Sequence, residues 1–254
     1  MVFLPPWAEE ANKSKRMMAR LGQALAQQGY LTLVPDFFGT GDSEGDFREA
    51  EWHLWKDNVL DAVTWLRQQG CGPISLGGLR LGALMAAEMS REVPEPPEGI
   101  LLWNPVTSGA QVLKQFLRLR LASGLGLGRY QPEESMDDLQ GLLSRGESVE
   151  VAGYEISPGM AQALQERELQ GFPPPRAAPV QWMDLVAGPE SAAPPASRGV
   201  VAAWEEGGRK VSHRTVTGTP FWSTQELVDV PGLIDLSVAT MRRRRDAELS
   251  DHAC

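Results

Sequence analysis

Histidine and cysteine are both scarce in this sequence of 254 residues. The three histidines, His53, His213 and His252, lie far apart along the chain. The two cysteines, Cys71 and Cys254, are also far apart, so they form neither a disulfide framework nor a cluster of metal ligands. We therefore expect no metal ion and no cofactor, and any mechanism that needs a histidine has few residues to draw on.

Long apolar runs and an excess of positive charge are also missing. The sequence has no run of about 18 apolar residues and no basic segment followed by an apolar one at its start. We therefore expect no membrane span, no signal peptide and a cytoplasmic location. The net charge of −9 weighs against a general role in nucleic-acid binding. The basic run Arg242–Arg245 is compatible with contact to phosphate or a membrane surface, but a solvated helix end is the more ordinary interpretation.

Short apolar runs alternate with helical patterns through most of the chain, which is typical of a parallel sheet covered by helices on both faces. The length favours one large α/β domain. The first apolar run, Val2–Leu4, predicts that the sequence opens inside the sheet, with an upstream piece absent or the start assigned late. The predicted strands cover residues 2–4, 30–34, 73–77, 99–103, 179–186 and 210–216, and the predicted helices cover residues 13–28, 52–69, 200–206 and a last stretch from 231.

The alternation fails between about residues 108 and 175, where helical patterns near 110–121 and 159–169 are separated by glycine-rich and acidic loops. An insertion at this point would lie over the carboxyl edge of the sheet, where ligands bind in open α/β sheets. We expect one domain over residues 1–254, with a lid-like insertion at about 108–175 and a flexible basic and polar tail at about 242–254.

The stretch GLRLG at residues 78–82 has the glycine spacing of the nucleophile elbow, G-x-S-x-G, but Arg80 stands where the serine is expected. An apolar run precedes it and a helical pattern follows it, as the strand–turn–helix context of the motif requires. A guanidinium cannot attack a carbonyl. The stretch therefore predicts the α/β-hydrolase fold, and at the same residue it argues against serine hydrolase chemistry.

A second match to G-x-S-x-G, at residues 41–45, has Ser43 at its centre. Its preceding strand ends several residues earlier and no apolar helix follows directly, so it lacks the context of an elbow. Asp36, Gly39, Gly41 and Ser43 are better explained as a glycine-rich loop that the aspartate and serine brace through hydrogen bonds to backbone amides. A nucleophilic role for Ser43 is the weaker alternative.

The acid and the histidine of a catalytic triad would follow the last two strands. Glu190 occupies roughly the place of the acid, after the strand that ends at Val186. The histidine is expected near Thr219 or Pro220, and none is present there. His213, inside the preceding strand, is either a displaced base or, as we favour, a structural side chain.

The oxyanion hole of such a site is built from backbone amides, here those of Leu81 and of Trp7 or Ala8. Arg80 beside these amides, at the start of a helix, would make the pocket a receptor for a carboxylate or a phosphate. The alternative is that Arg80 pairs internally with an acidic residue and fills a silent pocket. The candidate partners are Glu9, Glu10, Asp36 and Glu190.

The segment PPWAEEANKSKRM at residues 5–17, together with Pro35-Asp36 and Gly41-Asp42-Ser43, resembles one group of the α/β-hydrolase superfamily. This group is the exosortase A system-associated hydrolase 2 family, whose members have an opening similar to P-P-F-A-E-E-M-N-K-S-R-R-M. The similarity extends through the elbow to Asn104-Pro105 and returns weakly at residues 218–222.

The resemblance implies a bacterial protein encoded alongside machinery for exopolysaccharide production and for sorting proteins with a C-terminal anchor signal. It also implies a hydrolase of acyl or ester type, but names no substrate. The alternative function is a non-catalytic protein that binds an anionic ligand or a protein partner at Arg80. Glu9, Glu10 and Asn12 would serve recognition in either case, or else Asn12 would cap a helix that the two acids favour.

Overall fold

The computed structural model describes residues 1–124 and 134–251, and within this part it contains a parallel sheet with helices on both faces. The strands are β1 (Val2–Leu4), β2 (Leu76–Leu79), β3 (Ile100–Trp103), β4 (Val149–Val151), β5 (Tyr154–Ile156), β6 (Val180–Val186) and β7 (Val211–Thr217). The helices are α1 (Glu9–Ala26), α2 (Trp52–Gln68), α3 (Leu81–Met89), α4 (Gly109–Gly124), α5 (Met136–Ser144), α6 (Pro158–Gln165), α7 (Pro195–Glu206) and α8 (Pro231–Asp251).

The main sheet has the strand order β1-β2-β3-β6-β7, and every neighbouring pair in it is parallel. Successive residues of a strand point to opposite faces, so Leu101 and Trp103 pack with α1 and α8, while Ile100 and Leu102 pack with α2, α3 and α7. Strands buried on both faces are what the continuous apolar runs predict, and the predicted α/β architecture is confirmed.

The prediction of a strand at residues 30–34 is wrong, because Leu33 alone in this segment forms a bridge, which joins it to Val2. The Leu33 amide donates to Met1 O at 2.9 Å, and the Phe3 amide donates to Leu33 O at 2.9 Å. The pairing stops there because Pro5 and Pro35 follow, and proline has no N–H to continue a ladder. The segment therefore lies along β1 without forming a strand of its own.

Several element boundaries differ from those expected. Helix α1 begins at Glu9, so Asn12 lies inside its first turns and does not cap it. The helix starts earlier because Ala8, with φ 51°, turns the chain, and the Ala11 amide already donates to Ala8 O at 3.1 Å. Strand β2 runs later than the expected 73–77, directly into Arg80, and α7 starts at Pro195, where proline suits the first turn.

The segment between β3 and β6 contains the two expected helical pieces, as α4 and α6, and also α5 and the hairpin β4–β5, which were not expected. An ion-pair network ties this segment to helices α2 and α3. Arg167 donates from Nε to Glu88 Oε2 at 3.1 Å and stacks over the Trp52 ring at 4.4 Å, while Trp52 Nε1 donates to Glu88 Oε2 at 3.1 Å. Glu88 is buried, so this network fixes the insertion against α2 and α3.

The backbone of the arginine run Arg242–Arg245 is helical, because α8 continues to Asp251. The expected flexible tail at 242–254 is thus helical over most of its length, and His252 and Cys254 lie outside the described residues. In the described part of the chain, no helix combines the length and the apolar character needed to cross a membrane.

Candidate functional site

The turn between β2 and α3 is built on Arg80, whose backbone has φ 56° and ψ −116°. Positive φ is uncommon for a residue other than glycine and costs free energy that the surroundings must supply. Both flanking glycines are required by close backbone approach. A Cβ on Gly78 would lie 2.4 Å from Gly82 O, and a Cβ on Gly82 would lie 2.3 Å from Leu4 O. The G-x-R-x-G spacing thus holds a sharp strand–turn–helix junction against the end of β1.

The Arg80 side chain makes two contacts, one from α1 and one from the loop after β7. Its Nε donates to Glu10 Oε1 at 3.3 Å, and its guanidinium carbon lies 5.4 Å from the centroid of the Trp222 ring. The terminal Nη atoms have no hydrogen-bond partner among the described residues. The Arg80 side chain as a whole is 21% exposed.

Glu10 is the acidic partner of Arg80, and its surroundings disfavour the charged form of its carboxyl group. Burial raises the pKa of the Glu10 carboxyl, and the neighbouring Arg80 opposes that rise by its charge and its hydrogen bond. The carboxyl therefore remains easier to protonate than an ordinary glutamate. Of the internal partners expected for Arg80, Glu10 is the one that contacts it.

The loop after β7 reaches the elbow, as the order of a triad requires, but it brings Trp222 where a histidine would act. Trp222 is buried and stacks edge-on against Phe221 at 5.1 Å. Sequence reasoning missed this residue, although its place in the loop expected to hold the histidine was a usable signal. A cation–π contact therefore joins the two loops that a nucleophile–base hydrogen bond would join.

His213 lies in β7 and is paired elsewhere. Its Nε2 is 2.7 Å from Asp184 Oδ2, and Asp184 also accepts from Trp182 Nε1 at 3.1 Å. Asp184 is buried in β6, beside His213 in the sheet. The structural role favoured for His213 matches this geometry, because its ring nitrogen is used inside the sheet and makes no described contact with Arg80.

The loop after β1 comes next to the elbow, since the Gly82 backbone packs against Leu4 and Pro5. Ala8, with φ 51° and ψ −128°, has nearly the same strained backbone as Arg80 and begins α1. The first amides of a helix have no acceptor within the helix. The amides at the start of α3, near Leu81, and at the start of α1, near Ala8, are therefore available as hydrogen-bond donors. Trp7 is buried against Phe116, with ring centroids 4.4 Å apart, and its Nε1 has no partner in the described structure.

The glycine-rich loop makes the contacts that a bracing role requires. The Ser43 hydroxyl donates to Asp36 O at 2.6 Å, and the Asp42 amide donates to Asp36 Oδ2 at 3.0 Å. Gly41, with φ 55°, leaves no room for a Cβ, which would lie 2.1 Å from the Asp36 carboxylate. Among the described residues, the Ser43 hydroxyl makes no hydrogen bond to a histidine or a carboxylate that would remove its proton.

The remaining predicted residues do not gather at Arg80. Glu9 pairs with Lys13 at 3.3 Å, and Asn12 Nδ2 donates to the hydroxyl of Tyr154 at 3.0 Å. Glu190 is exposed and makes no described contact with Arg80. The described residues contain no group of three or more histidine, cysteine or acidic side chains that could hold a metal ion.

Asn12 and Asp36 instead line a cavity of about 640 Å³ between α1 and the glycine-rich loop, with Ala8 at its border. Arg80 and Glu10 do not line it. The predicted site is thus divided into two regions by α1: the Arg80 cluster, which we define as Glu10, Arg80, Leu81 and Trp222, and the α1–loop cavity.

Comparisons with known proteins bear on the fold. The sequence model of the X-Pro dipeptidyl-peptidase family (S15) matches residues 1–96. No curated protein matches the chain. Est1E from Butyrivibrio proteoclasticus, in its structure with bound ferulic acid, superimposes with a TM-score of 0.64 at 15% identity, over 98% of this chain and 89% of that one.

Two further solved structures agree with this result. The esterase domain of a Rhodothermus marinus protein gives a TM-score of 0.57 at 16% identity, over 95% of this chain and 85% of that one. Alpha/beta hydrolase domain-containing protein 10 from mouse gives a TM-score of 0.56 at 14% identity, over 100% of this chain and 90% of that one. Together with the parallel sheet and the strained turn at Arg80, these likenesses show that the chain has the α/β-hydrolase fold.

Proposed function

We propose that this protein binds a small anionic ligand, a carboxylate or a phosphate, at the Arg80 cluster and forms no acyl-enzyme there. The observation that carries the proposal is the identity and pairing of Arg80. An arginine occupies the turn where a nucleophile would stand, and only its Nε is used by Glu10, which leaves the Nη donors to a ligand.

The surroundings of Arg80 favour an anion. Arg80 is the N-cap residue of α3, and the amides and dipole at the start of a helix attract negative charge. Trp222 supports one side of the guanidinium and restricts its motion. Arginine donors arranged in a fixed fork bind carboxylate and phosphate oxygens through paired, charge-assisted hydrogen bonds. The oxygen atoms of the ligand would also meet the Leu81 amide.

Calorimetric titration with inorganic phosphate and with acetate tests the proposal on the wild-type chain and on Arg80→Ala. Loss of charge-assisted hydrogen bonds should weaken binding roughly tenfold or more. Arg145→Ala is the matched control, because Arg145 is an exposed arginine paired only with Glu147 in the described structure. Equal binding by wild type and Arg80→Ala, or an equal loss in the Arg145 variant, would refute a site at Arg80.

Hydrolysis of an acyl or ester bond is the second candidate function. Two observations favour it: the match of residues 1–96 to a peptidase family, and the hydrolase-like geometry of the turn. With no serine at the turn, the nucleophile would be Ser43 or a water activated by Glu190. A fluorophosphonate probe separates these routes from the binding function. Stoichiometric labelling of a serine, lost in Ser43→Ala, would establish the acyl-enzyme route and contradict our proposal, whereas ester turnover without labelling would indicate the water route.

The biological setting that we propose rests on the resemblance of residues 5–17 to the exosortase A system-associated family. In that setting the ligand or a protein partner would belong to exopolysaccharide production. Deletion of the gene in its host, followed by measurement of exopolysaccharide yield, tests this setting. Complementation with Arg80→Ala then shows whether exopolysaccharide production needs the Arg80 cluster. An unchanged yield after the deletion would contradict the proposed setting.

A further inference from the structure

The α1–loop cavity is separate from the Arg80 cluster, and it has the size of a small-molecule site. One face of α1 forms its first wall, through residues that recur at helical spacing: Ala8, Ala11, Asn12, Lys15, Met18 and Ala19. The glycine-rich loop forms the other wall, and Tyr154 of the hairpin β4–β5 closes one side.

The inner lining of the cavity is apolar. Phe37 and Trp55 are buried there with their rings stacked, 5.0 Å apart at 16°, and Met18, which is also buried, lines the same cavity. Trp55 Nε1 already donates to Phe38 O at 3.0 Å, so the indole offers the cavity no free donor. The inner part of the cavity is therefore suited to a hydrocarbon body and not to a polar group.

The two walls carry opposite charges that do not pair with each other. Lys15 on α1 has no ion pair within the described residues, although Asp36 and Asp42 lie on the other wall of the same cavity. The Asp36 carboxylate packs against Gly41 and accepts from the Asp42 amide, and it forms no ion pair with Lys15 in the described structure. The Asp42 carboxylate has no partner in the described structure.

From this arrangement we infer that the α1–loop cavity binds an apolar zwitterion whose ammonium and carboxylate groups are separated by a hydrocarbon body. The ammonium lies against Asp36 and Asp42, the carboxylate lies against Lys15, and the body covers Phe37 and Trp55. A ligand with one charge leaves one wall unpaired.

Three probes of equal length test the inference by calorimetry at low salt: 6-aminohexanoate, hexanoate and hexylamine. We expect 6-aminohexanoate to bind at least tenfold more tightly than either singly charged probe. Lys15→Met should abolish its advantage over hexylamine, and Asp42→Asn should reduce its advantage over hexanoate. Lys114→Met and Asp137→Asn, both at exposed positions on other helices, are the matched controls and should change nothing.

A blocking variant places the binding in the cavity. Ala19→Trp puts a bulky side chain into the lining without removing a charge. In an Arg80→Ala background, which lacks the carboxylate site proposed at the Arg80 cluster, it should abolish binding of all three probes. The three probes are therefore compared on Arg80→Ala, in which 6-aminohexanoate should keep its advantage over both singly charged probes, so failure here and failure at the Arg80 cluster are distinguishable. Equal affinity for the three probes, no saturable binding, or unchanged binding in Ala19→Trp would overturn the inference.

Discussion

Two faces of helix α1 differ in whether their charged residues are paired. On one face, Glu10 closes an ion pair with Arg80 in partly buried surroundings, and Trp222 completes the cluster. On the other, Lys15 faces a cavity whose acidic residues it does not contact. An ion pair fixes the relative position of the two elements that carry it. Unpaired charges on separate walls of a cavity do not stabilise the fold in this way, and they remain available to a ligand. We therefore expect substitutions at the Arg80 cluster to affect stability more than substitutions at the cavity.

The largest difference in stability between the two regions should come from substitution of a glycine in each of them. Gly82→Ala would push a Cβ into the backbone carbonyls of Leu4 and Pro5, which cannot move without shifting β1, so we expect a loss of about 3 kcal/mol in the free energy of unfolding. Gly41→Ala meets the Asp36 side chain, which can rotate away, and should cost roughly 1 kcal/mol, mainly from its positive φ. Urea denaturation measures both, and equal losses would contradict the contrast.

A smaller contrast should appear between the charges themselves. Glu10→Ala leaves the partly buried guanidinium of Arg80 without its partner, and we expect a loss of about 1–2 kcal/mol in the free energy of unfolding. Asp42→Ala removes an exposed carboxylate with no described partner and should change the free energy of unfolding by less than about 0.5 kcal/mol. The same denaturation experiment compares them. A greater loss in Asp42→Ala would show that the cavity charges are the structural ones.

The turn at Arg80 could be predicted from sequence because its causes are local. Gly78 and Gly82 are spaced as the close backbone contacts demand, and the apolar run and the helical pattern on either side are visible in the residues themselves. The parallel sheet was predictable for the same reason, since each buried strand is a continuous apolar run.

The contacts of Arg80 were not predictable, because they join residues far apart in sequence. Glu10 was one of four possible acidic partners, and Trp222 contacts Arg80 only because β7 lies in the same sheet as β2. The alternative in which Asn12 caps a helix is wrong because the strained backbone of Ala8, which starts α1 early, leaves no mark in the residue type. The hairpin β4–β5 was missed because strands of three residues are too short to show alternation.

The pH dependence of stability gives a finer measure of the closed pair. Because the pKa of Glu10 is raised in the folded state, the folded chain binds more protons than the unfolded chain above the ordinary glutamate pKa. The stability of the wild-type chain should therefore fall, relative to that of Glu10→Gln, as the pH rises from about 4 towards the raised pKa. Denaturation across this range measures the difference. A constant difference would show that Glu10 titrates alike in both states.

A small effect is expected from the hydrogen bond that joins the hairpin β4–β5 to α1 at the edge of the cavity. Tyr154→Phe removes the hydroxyl that accepts from Asn12 but keeps the ring that packs edge-on against Phe47, with centroids 5.0 Å apart. The bond is exposed, so its loss should cost no more than about 0.5–1 kcal/mol in global stability. The change should instead appear locally, as faster amide hydrogen exchange in the hairpin with unchanged exchange at Arg80, because small losses of this kind act through local opening. Faster exchange in both places would mean that the cavity and the Arg80 cluster open together, and the separation of the two faces of α1 would then be wrong.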